Sequence, residues 1–259
     1  MSSAPTARPP FSNEEIARLL ELLKGADSVE LKLTVPEAEQ QSTVAALELD
    51  PLEAQIRQVF FFDTPELDLD AHGIVTRARR IQGKGGDSIV KLRPVVPGEL
   101  PEELRLSGSF RVEVDVLPGG FVCSGTLKGS PDADEVRAAA NGKLPLRKLF
   151  SKEQRQLFAA HAPQRIELDD LAVLGPIFVL KLRVVPPELG RKVAAEMWLY
   201  PDGSHILELS ARAATNEAFQ VAAEVRAYLV ARGIDLSGDQ ETKTRRALEY
   251  FASAHKKKP

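Results

Sequence analysis

Arg77 and Arg79, Lys91 and Arg93, and Lys181 and Arg183 are pairs of cations two residues apart, each within a segment of alternating apolar residues. Glu30, the pair Glu113 and Asp115, and Glu208 stand in segments of the same kind. In a strand, residues i and i+2 point to one face. Each segment therefore gathers charge of consistent sign on one side and apolar groups on the other. Neighbouring like charges repel, so such faces need a counterpart. Basic side chains grip phosphate oxygens, arginine bidentately. Carboxylates hold Mg²⁺ or Mn²⁺, which neutralises charge on phosphate oxygens. A chain of phosphates carried with a divalent metal satisfies both sets.

The elements that must position these groups alternate along the chain. Residues 74–80 and 88–94 read as strands joined by the turn GKGGD, which lacks the full phosphate-loop pattern. This hairpin is expected to set four cationic heads side by side. Residues 28–35 and 110–117 alternate cleanly, and 59–63 is an aromatic strand before the turn-like Asp63-Thr64-Pro65. Short strands are expected near 121–127 and over 165–169, and a longer one over 177–185. Residues 193–200 and 205–212 flank PDGS as a hairpin.

Helices are read from caps and periodicity. Ser12 with Glu15, and Ser151 with Gln154, form capping boxes, so helices are expected from there to Gly25 and to residue 161. Residues 36–58 are helical in part, 132–140 form a short helix, and 95–108 an acidic loop. A helix over 215–232 carries Phe219, Ala222, Ala223, Val225, Tyr228 and Leu229 as its apolar stripe, and another over 239–255 carries Leu248 and Phe251. Residues 1–11 read as a mobile tail and the terminal KKKP as a solvated charge run.

The 259 residues are 43% hydrophobic and 27% charged, ordinary for a globular protein with a substantial core. A net charge of −3 argues against a nucleic-acid partner and makes any basic site local. No apolar run approaches a membrane span. The single Cys123 excludes an internal disulfide and reads as a packing thiol, and the four histidines lack metal-ligand spacing. Trp198 reads as wall rather than as a stacking platform. Cytoplasmic residence is the expectation.

Two arrangements fit the charged faces. In a flat sheet they form cross-strand ion pairs of little energetic weight. In a closed sheet they line a polar lumen, with the apolar faces outside beneath helices.

Ser28-Val-Glu30-Leu-Lys32 resembles the E-x-E-x-K opening of the CYTH, or triphosphate tunnel metalloenzyme, superfamily. FFDTPELDLDAHGIVTRARR resembles its aromatic-D-T-P strand and the G-x-x-x-R-x-R strand after it. IVKLRP, FRVEVDV, VLKLRV, PDGSHILELS and Thr242-Lys243-Thr fall in the family's order, and the resemblance spans roughly residues 26–250. It implies an α+β fold: a closed antiparallel β tunnel of about eight strands with surrounding helices. Residues 1–25 would be a tail and short helix, and 26–254 the tunnel domain with its C-terminal helices.

The resemblance further implies a metal-dependent enzyme acting on triphosphate-bearing substrates, with Mg²⁺ or Mn²⁺ as cofactor. The reaction expected is hydrolysis of a terminal phosphoanhydride in inorganic triphosphate, thiamine triphosphate or a nucleoside triphosphate. Adenylate cyclisation and non-catalytic polyphosphate binding are the alternatives. Carried over by position, Glu30, Glu113, Asp115 and Glu208 fall on the metal side. Lys32, Arg77, Arg79, Lys91, Arg93, Lys181, Arg183 and Lys243 fall on the phosphate side. Glu196 alternates with Trp198 and Tyr200. Ser28 and Ser210 stand where the family places carboxylates, which weakens the case for a second metal.

Overall fold

The structure, a computed structural model, describes residues 11–234 and 243–256. The strands are β1 (Ser28–Val35), β2 (Gln55–Asp63), β3 (Ile74–Ile81), β4 (Gly86–Leu92), β5 (Phe110–Leu117), β6 (Gly120–Gly129), β7 (Ala172–Val184), β8 (Val193–Leu199) and β9 (His205–Ala213). They close into one barrel in the order β1-β5-β6-β4-β3-β2-β7-β8-β9. The fold is thus the closed β tunnel expected, with nine strands. Eight of its nine joins are antiparallel, and β1 and β5 run parallel.

Alternation within each strand sorts the side chains. In β1, Val29, Leu33 and Val35 are buried on the outer face, while Ser28, Glu30, Lys32 and Thr34 take the inner one. The outer apolar faces need cover, and helices supply it. Leu19, Leu22 and Leu23 of α1 (Asn13–Lys24) share one core cluster with Val29, Phe110 and Val114. Val136 and Ala139 of α5 (Ala133–Ala140) and Leu157 and Phe158 of α6 (Lys152–His161) belong to the same cluster. Tyr228 and Leu229 of α7 (Ala218–Ala231) pack with Leu33, Leu207 and Leu209. The short helices α2 (Gln40–Ala46), α3 (Asp68–Ala71) and α4 (Glu102–Leu106) occupy connections. No helix among the described residues is long and apolar enough to cross a membrane.

The last helix, α8 (Lys243–Lys256), does something different. Val59, Phe61, Ile177, Val179, Trp198 and Ile206 lie on the inward register of their strands and form one cluster with Ala247, Leu248 and Phe251 of α8. Apolar side chains thus fill one end of the barrel beneath this helix, and the charged inner faces begin beyond them.

Both capping boxes form, and Gly25 caps α1. Asp63 shows why the D-T-P turn holds: fully buried, it accepts from the N–H groups of Thr64, Leu69 and Asp70 at 2.7, 2.9 and 3.0 Å. Gly73 is required where it stands. Its φ is +72°, and a Cβ there would come within 2.5 Å of the Arg93 carbonyl oxygen.

Four local expectations differ from the structure. Residues 165–169 form no strand, because Arg165 takes φ +73° in a turn that leads into the 3-10 segment Leu168–Asp170. The acidic stretch after residue 95 contains α4 instead of a continuous loop. In α7 the buried face is Ala218, Val221, Tyr228 and Leu229, leaving Phe219 52% exposed; that helix is apolar on most sides, so periodicity alone does not choose its buried face. The cations of the β3–β4 hairpin do not sit opposite one another either. Antiparallel register sets Arg79 against Asp87, Arg77 against Ile89 and Lys91 against Val75, so the two basic pairs occupy different stretches of the wall. The expected start of the final helix at residue 239, Thr242 of the late motif, residues 1–10 of the expected N-terminal tail and the terminal residues 257–259 lie outside the described residues.

Candidate active site

The parallel join of β1 and β5 builds the acidic part of the lumen. Parallel pairing sets Ser28 beside Glu113 and Glu30 beside Asp115, all on the inner face. Glu30, Glu113 and Asp115 bring one carboxylate oxygen each within 4.8 Å of one another. Asp115 is completely buried, and neither of its oxygens accepts a well-aligned hydrogen bond. It instead faces charge: Lys32 Nζ at 2.8 Å, Lys91 Nζ at 3.6 Å and Arg93 Nη2 at 3.8 Å.

Burial alone would raise the Asp115 pKa; Lys32, Lys91 and Arg93 outweigh it and hold the carboxyl down to about 2. Burial likewise opposes the charge on Lys32, yet Asp115, Glu30 and Glu208 raise its pKa well above the usual lysine range. Lys91 goes the other way. Burial, with Lys32 and Arg93 close by, presses it down to about 8 against the pull of Asp115. Glu113 is pushed up by burial and by Glu30, although Arg212 donates to its Oε2 and the Ser28 hydroxyl donates to the same oxygen at 3.2 Å.

The facing wall is basic. Arg79 clamps Asp87 with two bonds, Nε to Oδ1 at 2.8 Å and Nη2 to Oδ2 at 2.5 Å. Arg77, two residues along the same face, has a buried Nε with no hydrogen-bond partner. Burial and the neighbouring Arg79 lower its pKa to about 9, which leaves it charged at neutral pH. Arg57 of β2 and Lys181 and Arg183 of β7 share this inner register, with Arg57 beside Val179 and Gln55 beside Lys181. Arginines crowded in this way repel one another, and an unpartnered guanidinium N–H inside a lumen is a vacancy for an acceptor.

A third group joins the walls. Glu196 accepts from Lys181 Nζ at 2.5 Å, from Lys243 Nζ at 2.5 Å and from the Trp198 indole at 3.2 Å. Lys243 also reaches Glu208 at 2.6 Å and lies 5.1 Å from the Trp198 ring centre. Burial would raise the Glu196 pKa, but Lys243 and Lys181 hold it well below the usual carboxylate range.

Of the four carboxylates read from sequence as metal-side, the structure brings Glu30, Glu113 and Asp115 together. Glu208 lies outside that triad, opposite Glu196 on the β8–β9 ladder and bonded to Lys243. All eight residues read as phosphate-side reach the inner face or its rim. Sequence reading missed Arg57, Asp87 and Arg212 and left Glu196 undirected. Arg57 carries the signal in retrospect: counting back by twos from Phe61 and Val59 puts it on their face, but its polar neighbours Gln55 and Gln58 read as a connection. Asp87 sat within the presumed turn, and β4 begins one residue before it.

The inner register carries Lys32, Arg57, Arg77, Arg79, Lys91, Arg93, Arg111, Lys128, Lys181, Arg183 and Arg212, joined by Lys243 of α8, against Glu30, Asp87, Glu113, Asp115, Glu196 and Glu208. Cations therefore outnumber these acids in a chain whose net charge is −3. The cationic excess suits an anionic ligand, and three clustered carboxylates are hard oxygen donors suited to a divalent cation such as Mg²⁺ or Mn²⁺.

No protein-family model and no curated protein matches the chain. Solved structures do match. A candidate adenylyl cyclase from Hippeastrum, described as having a dominant triphosphatase activity, is 16% identical with a TM-score of 0.64, covering 85% of this chain and 95% of its own. A candidate adenylate cyclase from Bacillus halodurans is 13% identical with a TM-score of 0.59, covering 85% of this chain and 97% of its own. At these identities the likeness is one of fold, and the fold is the closed tunnel that the CYTH resemblance implied.

Proposed function

We propose that this protein is a metal-dependent enzyme of the triphosphate tunnel type that hydrolyses the terminal phosphoanhydride of a triphosphate. The observation that carries the reading is the pairing, in one lumen, of the clustered carboxylates Glu30, Glu113 and Asp115 with a basic wall in which the buried Arg77 Nε has no protein acceptor. A triphosphate with a divalent cation suits both. The dominant triphosphatase activity described for the Hippeastrum protein favours hydrolysis over cyclisation.

In this reading Arg77, Arg79, Arg57, Lys181 and Arg183 hold phosphate oxygens along the basic wall. Lys32, Lys91 and Arg93 do so beside the acidic triad. Lys243 positions Glu196 and Glu208 and adds its charge to the lumen. Cations fixed before the substrate arrives need no reorganisation as charge develops on the transferring phosphoryl group. Glu30, Glu113 and Asp115 would hold Mg²⁺ or Mn²⁺, which when bound would supply charge neutralisation to the triphosphate. Water adds to the terminal phosphorus, the bridging P–O bond breaks, and orthophosphate leaves together with the shortened diphosphate. The apolar plug beneath α8 keeps bulk water from one end of the lumen.

The test is product analysis with Mg²⁺ or Mn²⁺ and, separately, tripolyphosphate, ATP and thiamine triphosphate. Orthophosphate released in preference from one of them establishes the hydrolase and its substrate. Cyclic AMP with pyrophosphate from ATP would replace this reading with cyclisation. Metal-independent tripolyphosphate binding without turnover of any substrate would replace it with a binding module.

A further inference from the structure

A cavity of about 390 Å³ lies where β4 finishes and β3 and β6 begin, between those strand ends, α1 and the last residue of α6. This is the barrel end that α8 fills beneath β2, β7, β8 and β9. The volume falls within the roughly 300–1,000 Å³ of small-molecule sites. Leu22 of α1, Leu100 of the loop after β4 and Phe121 of β6 give it apolar walls. Its polar groups are Arg18, Arg93, His72 and His161, against a single carboxylate, Glu99.

These groups are available to a ligand. Arg18 has no hydrogen bond or ion pair among the described residues. The Nδ1 of His72 lies 2.7 Å from the Asp68 carbonyl oxygen, and that of His161 lies 2.9 Å from the Leu157 carbonyl oxygen. A carbonyl only accepts, so each Nδ1 carries a proton and each Nε2 is left for another partner. Arg93, directly after β4, serves two spaces. It lines the cavity, and its Nη2 is 3.8 Å from Asp115 Oδ2 in the lumen.

Apolar walls with convergent cations suit a ligand that has an apolar body and an anionic end. We propose that this cavity is a second ligand site, for a small organic anion such as an aryl or alkyl phosphate or carboxylate, and that Arg93 couples it to the lumen. A guanidinium bonded to an anion in the cavity has fewer donors for an anion in the lumen, and the two anions repel. Each ligand therefore weakens the other by the same factor. The coupling, unlike the cavity, rests on the reading of the lumen as a triphosphate site.

The experiment uses the full chain with phenyl phosphate as probe. Proton NMR follows the histidine ring signals, assigned from His72→Gln and His161→Gln, and needs neither metal nor turnover. Phenyl phosphate should move the signals of His72 and His161 and leave that of His205, at the start of β9, in place. Inorganic phosphate and phenol, each with half of the chemistry, should bind about tenfold more weakly. Arg18→Gln should weaken phenyl phosphate about three- to tenfold and Glu99→Gln should tighten it. Arg226→Gln, at an exposed position of α7, should change nothing. In calorimetry with Mg²⁺ present, phenyl phosphate that fills the wild-type cavity should weaken tripolyphosphate binding about fivefold, the lower end of coupling energies, and by less in Arg18→Gln.

Unmoved His72 and His161 signals, equally tight binding of inorganic phosphate, or equal losses in Arg18→Gln and Arg226→Gln would overturn the site. Equal weakening of tripolyphosphate in wild type and Arg18→Gln would put phenyl phosphate in the lumen and overturn the coupling. No tripolyphosphate binding at all would remove the triphosphate reading and the coupling with it, while the histidine signals still decide the cavity.

Discussion

Lys243, the first described residue of α8, places its Nζ 2.5 Å from Glu196 Oε2 on β8. This contact links the helix that fills one end of the barrel to the charged lumen beyond it. Glu196 is 7% exposed, so removing Lys243 leaves a buried carboxylate with less compensation. Lys243→Met is expected to cost about 1–3 kcal/mol in chemical denaturation, below the ~3–5 of a fully buried pair because Lys181 still holds Glu196. Amide exchange should quicken in α8 ahead of the strands. Unchanged exchange there would show that the apolar contacts of Leu248 and Phe251 hold the helix alone.

Arg77 is the cation whose loss should be felt most by ligand and least by fold. Arg79 is tied to Asp87, whereas the Arg77 Nε has no partner. Tripolyphosphate should raise the melting temperature of the wild type by mass action. Arg77→Ala should weaken tripolyphosphate binding by about tenfold or more, the worth of a charge-assisted bond, and Arg77→Ala with Arg79→Ala should abolish the thermal shift. A full shift in the double variant would show that phosphate binds elsewhere.

Asp115 makes stability depend on acidity in a defined window. Its folded pKa is about 2 against an ordinary value of 3.8, so the ionised form is favoured by folding. That contribution is fully present above about pH 4 and is lost as pH falls toward 2, amounting to about 2 kcal/mol. Urea denaturation of wild type and Asp115→Asn at pH 6, 4 and 3 should show the wild-type advantage shrinking over the lower two values. A gap that stays constant from pH 6 to 3 would mean that the cations around Asp115 do not act on it as their distances imply.

Glu208 separates two roles that sequence order leaves joined. It is bonded to Lys243 and stands apart from the Glu30–Glu113–Asp115 group. Glu208→Gln should therefore leave Mn²⁺ affinity within about twofold of wild type, while Glu30→Gln and Asp115→Asn each weaken it by tenfold or more, the worth of a charged ligand bond. Equal losses in all three would place Glu208 on the ion.

What the sequence determined was the strand faces. Side-chain alternation has a period of two, so Arg77 with Arg79, Lys91 with Arg93, Lys181 with Arg183, and Glu113 with Asp115 had to share faces wherever their strands ran. Their uniform charge argued for a lumen. Caps such as Ser12–Glu15 and Ser151–Gln154 marked helix starts because their bonds close within four residues. What the tertiary structure decided was which faces meet. The parallel join of β1 to β5 links segments about eighty residues apart and puts Glu30 beside Asp115. The β9 ladder carries Arg212 to Glu113, and barrel closure sets Glu208 with Lys243 instead of with the triad. Register between distant strands comes from closing the whole barrel, and no local pattern encodes it. The pairs were legible in sequence, and the partners of each pair had to await the fold.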